Sequence, residues 1–333
     1  WLNMAPPMAS EFGRVRDWKR PLWSLPTWWE MNLPHTRMQQ AMSFAQNLQG
    51  MFWPTGSPWA PSSDRGMEGI VEMNRLMLRV GTVFTTLPVE RPPTALLYSL
   101  SQGIEAQIRS GMKDFRYANN HLRTTEAFYA AGLRNQVPLL PVVEEDILDG
   151  TLAARHKAVI LSKVEYLDPA VITALQDFAA AGGKVLLDNE CTVAVQGAEK
   201  LGLQMDYAFH NAIESRDRSI YTSHNFMKNI EPLAKDLRKR LAGYGIQPVF
   251  SCDSLDILGR RQADGDVEYL FAVNLRTDPD IQWQNTIRGT TATIGVPDDG
   301  RPVYDVVVGG EAAEFAKKGK ELAGTFRFGP GQM

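Results

Sequence analysis

Short apolar runs separated by amphipathic stretches dominate the middle of the chain. The runs are Thr94–Leu100, Val137–Val143, His156–Ser162 and Lys184–Leu187. Because polar residues do not alternate with apolar ones in them, they are typical of strands that are buried on both faces. A helical period over Asn119–Ala131 stands between the first two runs. Buried strands that alternate with helices predict a doubly wound parallel sheet.

A second helix follows the third run. Asp168 is a suitable N-cap residue, and Pro169 suits the first helical turn. Apolar residues then recur at helical spacing up to Gly182 and Gly183, which predict the end of the helix.

The first part of the chain also alternates strand and helix patterns. Pro21–Trp29 is predicted as a strand, and the helical pattern His35–Leu48 follows it. The apolar run Gly50–Trp53 and a helical pattern over Gly66–Phe84 complete the order strand, helix, strand, helix. This order predicts two consecutive βα units of a parallel α/β structure. Two units bury too little surface to fold alone, so we expect further strands or a neighbouring domain to complete them.

From Gln247 onward the pattern changes to short strands separated by Gly, Pro and Asp. Ile257–Arg261 and Val267–Val273 flank Ala263-Asp264-Gly265-Asp266, a sequence typical of a hairpin turn. The further predicted strands are Gln282–Ile287, Thr290–Val296, Val303–Val308 and Gly324–Phe328. Short strands at this spacing predict an antiparallel β-sandwich.

The composition excludes several classes of protein. The chain has 333 residues, of which 44% are hydrophobic and 22% charged, so it can bury a core. A net charge of −3 without a basic stripe argues against nucleic acid and anionic membrane surfaces as partners. No apolar run is long enough to span a bilayer. Two cysteines, Cys191 and Cys252, are too few for a disulfide-rich scaffold or a cysteine-based zinc cluster.

The chain begins with Trp1 and shows no signal peptide. We therefore expect a piece of a longer polypeptide whose targeting segment lies elsewhere. The compartment stays unknown, with a secreted or periplasmic location slightly favoured.

Six segments, taken in chain order, form a familiar pattern. They are Glu72–Leu76, Ala95–Ser99, Val143–Ile147, Ala158–Leu161, Ala181–Leu187 and Tyr269–Asn274. Together they resemble the large glycoside hydrolases of the family 42 β-galactosidase type. The resemblance implies the end of a (β/α)₈ barrel over residues 1–91, a class I glutamine-amidotransferase-like α/β domain over residues 92–246, and a β-sandwich over residues 247–333. It also implies that the α/β domain serves packing and self-association, as in trimeric β-galactosidases, so we expect a homo-oligomer.

Tryptophans concentrate near the start of the chain. Four of them, Trp28, Trp29, Trp53 and Trp59, lie at or beyond the ends of the two predicted barrel strands. An indole ring can stack on the C–H face of a sugar while its N–H bonds a hydroxyl. These four residues are therefore candidate carbohydrate-binding residues. The alternative is that they fill the interface between the barrel units and the next domain.

Glu30 directly follows Trp28 and Trp29. Barrel enzymes place catalytic residues at the carboxyl ends of strands, and glycosidases use two carboxylates. The resemblance makes Glu30 a candidate catalytic nucleophile, with the second carboxylate upstream of this chain. Sugar hydrogen bonding and a plain surface position are the alternatives for Glu30.

Cys191 follows the fourth apolar run, where amidotransferases carry their nucleophilic cysteine. In those enzymes glycines flank the cysteine, whereas Glu190 and Thr192 flank it here. The acidic residues Asp188 and Glu190 are expected to raise the pKa of the thiol. A structural turn is therefore favoured, and an amidohydrolase that uses Cys191 is the weaker alternative.

No motif predicts a metal or a cofactor. Histidines do not stand four residues apart, and Asp264-Gly265-Asp266 is too short for a calcium loop. The sequence thus predicts a fragment of a glycoside hydrolase-like protein that acts on or binds carbohydrate. It would hydrolyse O-glycosyl bonds if the full-length protein is active. The main alternative is a non-enzymatic carbohydrate-binding or structural assembly protein whose barrel has lost its acids.

Overall fold

The computed structural model describes residues 23–24, 33–45, 50–51, 66–86, 92–109, 111, 120–204, 228, 230–278 and 286–333. Its helices are α1 (Leu33–Ala45), α2 (Gly66–Thr86), α3 (Leu100–Arg109), α4 (Asn120–Arg134), α5 (Glu144–Leu148), α6 (Thr151–Arg155), α7 (Pro169–Ala180) and α8 (Glu231–Ala242). Its strands are β1 (Trp23–Ser24), β2 (Gly50–Met51), β3 (Thr94–Leu97), β4 (Leu140–Val142), β5 (Ala158–Leu161), β6 (Lys184–Leu187), β7 (Glu199–Lys200), β8 (Ser251–Cys252), β9 (Ile257–Asp264), β10 (Val267–Asn274), β11 (Thr277–Asp278), β12 (Thr286–Ile287), β13 (Thr290–Pro297), β14 (Ala316–Lys318) and β15 (Glu321–Phe328).

Five strands form a parallel sheet in the order β4-β3-β5-β6-β7. Leu96 and Ile160 join an apolar cluster with residues of α4 and α8. Their neighbours Leu97 and Val159 join a second cluster with residues of α7. Successive strand residues point to opposite faces, and both faces are covered, so each strand needs apolar residues at every position. The predicted parallel sheet is confirmed.

The ends of α7 have the predicted chemistry. The Asp168 carboxylate accepts a hydrogen bond from the backbone nitrogen of Ala170 at 2.8 Å, and Pro169 occupies the first turn. At the other end, a Cβ atom on Gly183 would lie 2.4 Å from the ring of Phe178. Glycine is therefore required where the chain turns under the helix and enters β6.

Besides the short antiparallel pair of β11 and β12, two antiparallel assemblies follow the parallel sheet in the described part of the chain. Strands β9 and β10 form a hairpin in which Asp264 pairs with Val267, so the turn is the predicted one. A four-stranded sheet has the order β14-β15-β13-β8. Apolar residues of both assemblies share one cluster, in which Ile257 of the hairpin meets Ile294 and Phe328 of the sheet. The prediction of antiparallel strands in this region is confirmed.

The strand predicted over Val303–Val308 is wrong. An isolated bridge joins Tyr304 to Glu311, and the residues between them form a turn. The Asp305 carboxylate accepts hydrogen bonds from the backbone nitrogens of Val307 at 2.7 Å and Val308 at 2.8 Å. An aspartate that binds the backbone nitrogens two and three residues later favours a turn over a sheet, and this preference overrides the β propensity of the four valines in this segment.

The first described elements pack on the rest of the molecule. Strands β1 and β2 are parallel neighbours, with Trp23 opposite Gly50. Helix α1 lies between them in the chain, and its Met38 is buried in the same cluster as the parallel sheet. The Gln262 side chain, on the hairpin, donates a hydrogen bond to the carbonyl oxygen of Ala45 at 2.9 Å. Helix α1 is therefore held by residues that come far later in the chain.

Candidate functional site

The residues that the sequence singled out for carbohydrate lie outside the described part of the chain. They are Trp28, Trp29, Glu30, Trp53 and Trp59. Trp28, Trp29 and Glu30 follow β1 in the sequence, and Trp53 and Trp59 follow β2.

The described part offers a second candidate site at the carboxyl edge of the parallel sheet. Strand β3 continues to β4 on one side, whereas its neighbour β5 continues to β6 on the other side, so the connections that leave β3 and β5 run in opposite directions. In open α/β sheets, ligands bind in the crevice that this reversal creates. Here the chain that leaves β3 carries Ser99, and the chain that leaves β5 carries Ser162. These segments line the place where a ligand is expected.

The imidazole of His121, at the start of α4, bridges this crevice. Its Nε2 accepts a hydrogen bond from the backbone nitrogen of Ser99 at 2.9 Å. Its Nδ1 donates to the carbonyl oxygen of Ser162 at 2.8 Å, because a carbonyl can only accept. The two bonds fix the neutral tautomer with the proton on Nδ1. Burial lowers the pKa of His121 to about 4, against the opposing effect of the bond to Ser162.

A serine and a glutamate sit beside this histidine. The Ser99 hydroxyl donates to Glu144 Oε1 at 2.6 Å and accepts from the backbone nitrogen of Gln102 at 2.9 Å. Glu144 Oε2 also lies 3.4 Å from the backbone nitrogen of Ser101. A serine nucleophile needs a base that takes its proton and a third group that orients the base. Here the His121 nitrogens bond backbone groups instead, so the three side chains tie loops together.

Cys191 is inside the protein. Its side chain is 4% exposed, and Sγ lies 3.2 Å from both the carbonyl oxygen of Leu161 and the backbone nitrogen of Val164. Burial raises the pKa of the thiol, and the negative charge of Asp188 raises it further. Because the thiolate is the nucleophile, both effects work against catalysis by this residue. The prediction that Asp188 raises the pKa of the Cys191 thiol is thus confirmed.

The loop that carries Cys191 is held by Asp188. The Asp188 carboxylate accepts from the backbone nitrogens of Lys163 at 3.0 Å, Glu190 at 3.0 Å and Cys191 at 2.8 Å. Burial raises the pKa of this carboxyl group, and the hydrogen bonds oppose that rise. Lys200 donates from Nζ to the carbonyl oxygen of Cys191 at 2.6 Å. These contacts join the loops after β5 and β6 and hold Cys191 inside the protein.

A groove of about 380 Å³ lies at the opposite, amino edge of the sheet, where Gly183, Lys184 and Tyr244 are among its lining residues. Glu199 accepts from Lys184 Nζ at 2.8 Å and from the Tyr244 hydroxyl at 2.9 Å. The hydrogen bond from Lys184 is the main cause of a lowered pKa at Glu199. A carboxyl group that stays ionised in this way is unsuited to act as a general acid.

The described ranges hold neither a metal-binding cluster nor a membrane-spanning helix. Within them, groups of three or more residues suited to hold a metal ion do not occur. The described helices also include none that is long and apolar enough to cross a bilayer. His210 and His224, the histidines downstream of Cys191, lie outside these ranges.

No protein-family model matches the sequence, and no curated protein matches it significantly. Solved structures do. A β-galactosidase from Bacillus circulans sp. alkalophilus is 11% identical with a TM-score of 0.61, over 98% of this chain and 56% of its own. A β-galactosidase from Rahnella sp. R3 is 12% identical with a TM-score of 0.54, over 97% of this chain and 56% of its own.

A catalytic mutant of a GH42 β-galactosidase from G. stearothermophilus is 12% identical with a TM-score of 0.53, over 88% of this chain and 51% of its own. The chain thus spans about half the length of the solved structures that it matches. At such low identity the likeness concerns the fold. The fold is that of a part of GH42 β-galactosidases and related glycoside hydrolases.

Proposed function

We propose that the chain is part of a glycoside hydrolase-like protein that acts on or binds carbohydrate. The observation that carries the proposal is the likeness to a β-galactosidase structure over 98% of this chain. The proposed organisation is the end of a (β/α)₈ barrel in residues 1–91, a glutamine-amidotransferase-like α/β domain in residues 92–246, and a β-sandwich in residues 247–333.

The parallel pairing of β1 and β2 supports the barrel assignment. Residue pairs Trp23–Gly50 and Ser24–Met51 define a parallel register, and α1 connects the strands as a crossover helix does. Parallel neighbours end at the same edge, and barrel enzymes build their active sites there. The proposal therefore assigns sugar contacts to residues that follow these strands: Trp28, Trp29, Trp53 and Trp59.

In this proposal Glu30 is one of the two carboxylates of a glycosidase, and the other belongs to the preceding part of the full-length protein. A retaining glycosidase uses one carboxylate as nucleophile and the other first as acid and then as base. The α/β domain takes no part in this chemistry. Its crevice is bridged by His121 and its cysteine is buried, which supports a role in packing and self-association.

Calorimetric titration of the 333-residue chain with lactose and galactobiose tests the carbohydrate assignment. We expect binding that weakens about tenfold or more when Trp28 or Trp53 is replaced by alanine, by analogy with stacking of bases on aromatic side chains. Trp283→Ala is the matched control, because Trp283 belongs to the proposed sandwich. Absence of binding to both sugars, or equal losses in all three variants, contradicts the proposed sugar contacts.

The full-length protein separates an enzyme from a binding protein. Hydrolysis of a nitrophenyl β-galactoside that is lost in Glu30→Gln while sugar binding remains supports the catalytic role. Glu145→Gln serves as control, because Glu145 is an exposed carboxylate of the α/β domain. A full-length protein that binds sugar but never hydrolyses it favours the non-enzymatic alternative.

A further inference from the structure

The groove at the amino edge of the parallel sheet has a positively charged lining. Its ionisable lining residues in the described part of the chain are His156, Lys157, Lys184 and Tyr244, and none of them is a carboxylate. Two lysines without an acid in the lining favour an anion as ligand. The volume of about 380 Å³ lies at the lower end of the range for small-molecule sites, roughly 300–1,000 Å³.

We propose that this groove binds a small organic anion, namely a single sugar-sized ring that carries a carboxylate or phosphate group. The site is separate from the proposed sugar contacts of Trp28, Trp29, Trp53 and Trp59, which follow β1 and β2 in the sequence and do not belong to the parallel sheet. It can therefore exist whether or not those tryptophans bind carbohydrate.

The groove straddles the edge of the sheet, so groups from both faces line it. Phe178 in its lining belongs to the apolar cluster on one face, and Ile246 belongs to the cluster on the other. The backbone nitrogen of Lys184 donates to the carbonyl oxygen of Lys157 at 2.9 Å, which sets the two lysines side by side. An anion that contacts both ammonium groups gains charge-assisted hydrogen bonds from each.

Glu199, on β7, orients two of the polar groups in the lining. Its Oε1 accepts from Lys184 Nζ at 2.8 Å, and its Oε2 accepts from the Tyr244 hydroxyl at 2.9 Å. Lys184 Nζ also lies 5.8 Å from the centre of the Tyr244 ring. An ammonium group has three N–H donors, so the bond to Glu199 leaves two of them for a ligand. A side chain that a neighbour already orients loses less conformational entropy when a ligand binds.

The rest of the lining suits the body of a ring. Tyr244 and Phe178 contribute aromatic side chains, and Gly182 contributes only backbone. A Cβ atom on Gly182 would meet nothing within 4 Å, so the space beside this residue is open. Aromatic side chains offer an apolar surface on which the C–H face of a sugar ring can lie. One ring with one anionic group therefore matches both the size and the chemistry of the groove.

Calorimetric titration of the 333-residue chain with galacturonate, galactose 6-phosphate and neutral galactose tests the site. We expect at least one acidic sugar to bind about tenfold or more tightly than galactose, because charge-assisted hydrogen bonds are added. Lys157→Gln and Lys184→Gln should each reduce this preference, whereas Lys320→Gln, at an exposed turn, should keep it. The Trp28→Ala variant should also keep it, which separates this site from the proposed sugar contacts.

The two acidic sugars distinguish a carboxylate from a phosphate, and inorganic phosphate tests the need for a ring. Equal affinities for the acidic sugars and galactose overturn the proposal, as does a preference that survives both lysine variants. Inorganic phosphate that binds as tightly as galactose 6-phosphate overturns the ring.

A steric variant tests the groove without changing its charge. Ala181 is an exposed lining residue, so Ala181→Trp should fill the groove and leave the pair of Lys184 and Glu199 intact. Ala242→Trp is the matched control, because Ala242 is exposed on α8 and does not line the groove. We expect the acidic sugar to bind Ala242→Trp as it binds the wild type and to bind Ala181→Trp about tenfold or more weakly. Equal affinities of the two variants would place the ligand elsewhere and overturn the proposal.

Discussion

The Nδ1 atom of His121 donates a hydrogen bond to the carbonyl oxygen of Ser162, 2.8 Å away. The acceptor lies just beyond β5, and the other ring nitrogen accepts from the chain beyond β3. A neutral imidazole therefore joins two neighbouring strands at the point where a flavodoxin-like sheet has its crevice.

Stability should fall in mild acid because of His121. Its pKa is about 4 in the folded protein and 6.5 without the fold, so the unfolded chain binds more protons between these values. The contribution is fully present above pH 6.5 and is lost as the pH falls towards 4, by about 3 kcal/mol. Urea unfolding at pH 7.5, 6, 5 and 4 measures it. In His121→Gln, which cannot titrate, this part of the slope should be absent, and an unchanged slope would assign the effect to another group.

Ser99→Ala should destabilise the protein by about 1–3 kcal/mol. The substitution removes the hydroxyl that donates to Glu144 at 2.6 Å and leaves a buried carboxylate oxygen short of a partner. Ser101→Ala is the control, because only the backbone nitrogen of Ser101 faces Glu144. A double-mutant cycle with Glu144→Ala, which removes the acceptor, should give a clear coupling energy when it is measured by chemical denaturation. Additive effects would show that the hydrogen bond does not contribute.

Cys191 should react slowly with iodoacetamide at neutral pH. Its thiol is buried and has a raised pKa, whereas Cys252 is only partly buried. Mass spectrometry of the native protein should find Cys252 labelled first, and the Cys252→Ala variant should label at Cys191 only after denaturant is added. Rapid labelling of native Cys191 would restore the amidohydrolase alternative.

Two glycines should respond to alanine in opposite directions. Gly183→Ala places a Cβ atom 2.4 Å from the Phe178 ring, so we expect a loss of about 1–3 kcal/mol from overpacking. Gly103→Ala meets no atom within 4 Å in the middle of α3, so it should stabilise the chain by about 0.4–1 kcal/mol. The midpoints of thermal unfolding of both variants test these predictions. A Gly183→Ala variant that unfolds at a higher temperature than the wild type would contradict the predicted clash with Phe178.

The sequence was informative where one local pattern determines the outcome. Uninterrupted apolar runs identified the strands of the parallel sheet, because both of its faces are covered. Asp168 and Gly183 marked the two ends of α7, since capping and close approach depend on single residues. At Val303–Val308 the residue types favoured a strand, whereas the Asp305 carboxylate binds the backbone nitrogens of Val307 and Val308 and stabilises a turn.

The sequence did not predict two features of the structure, the polar cluster around His121 and the helix α3. The cluster around His121 combines residues at 99, 121, 144 and 162, and only the strand order brings them together. Helix α3 was not predicted, although Leu100, Ile104 and Ile108 recur at a helical spacing. The structure leaves all three exposed. Periodicity reveals that an apolar face exists, whereas the tertiary packing decides whether that face is inside.

The hydrogen bond from Gln262 to Ala45 can form only after the hairpin has been synthesised, long after α1. A ribosome adds residues one at a time, so α1 emerges tens of seconds before the hairpin that holds it. Until the hairpin forms, Met38 and Met42 of α1, which are buried in the folded protein, are not fully covered and are accessible to chaperones. Translation that stalls before residue 262 should therefore leave a nascent chain in which the α1 segment is prone to aggregate, even when the central sheet has already formed.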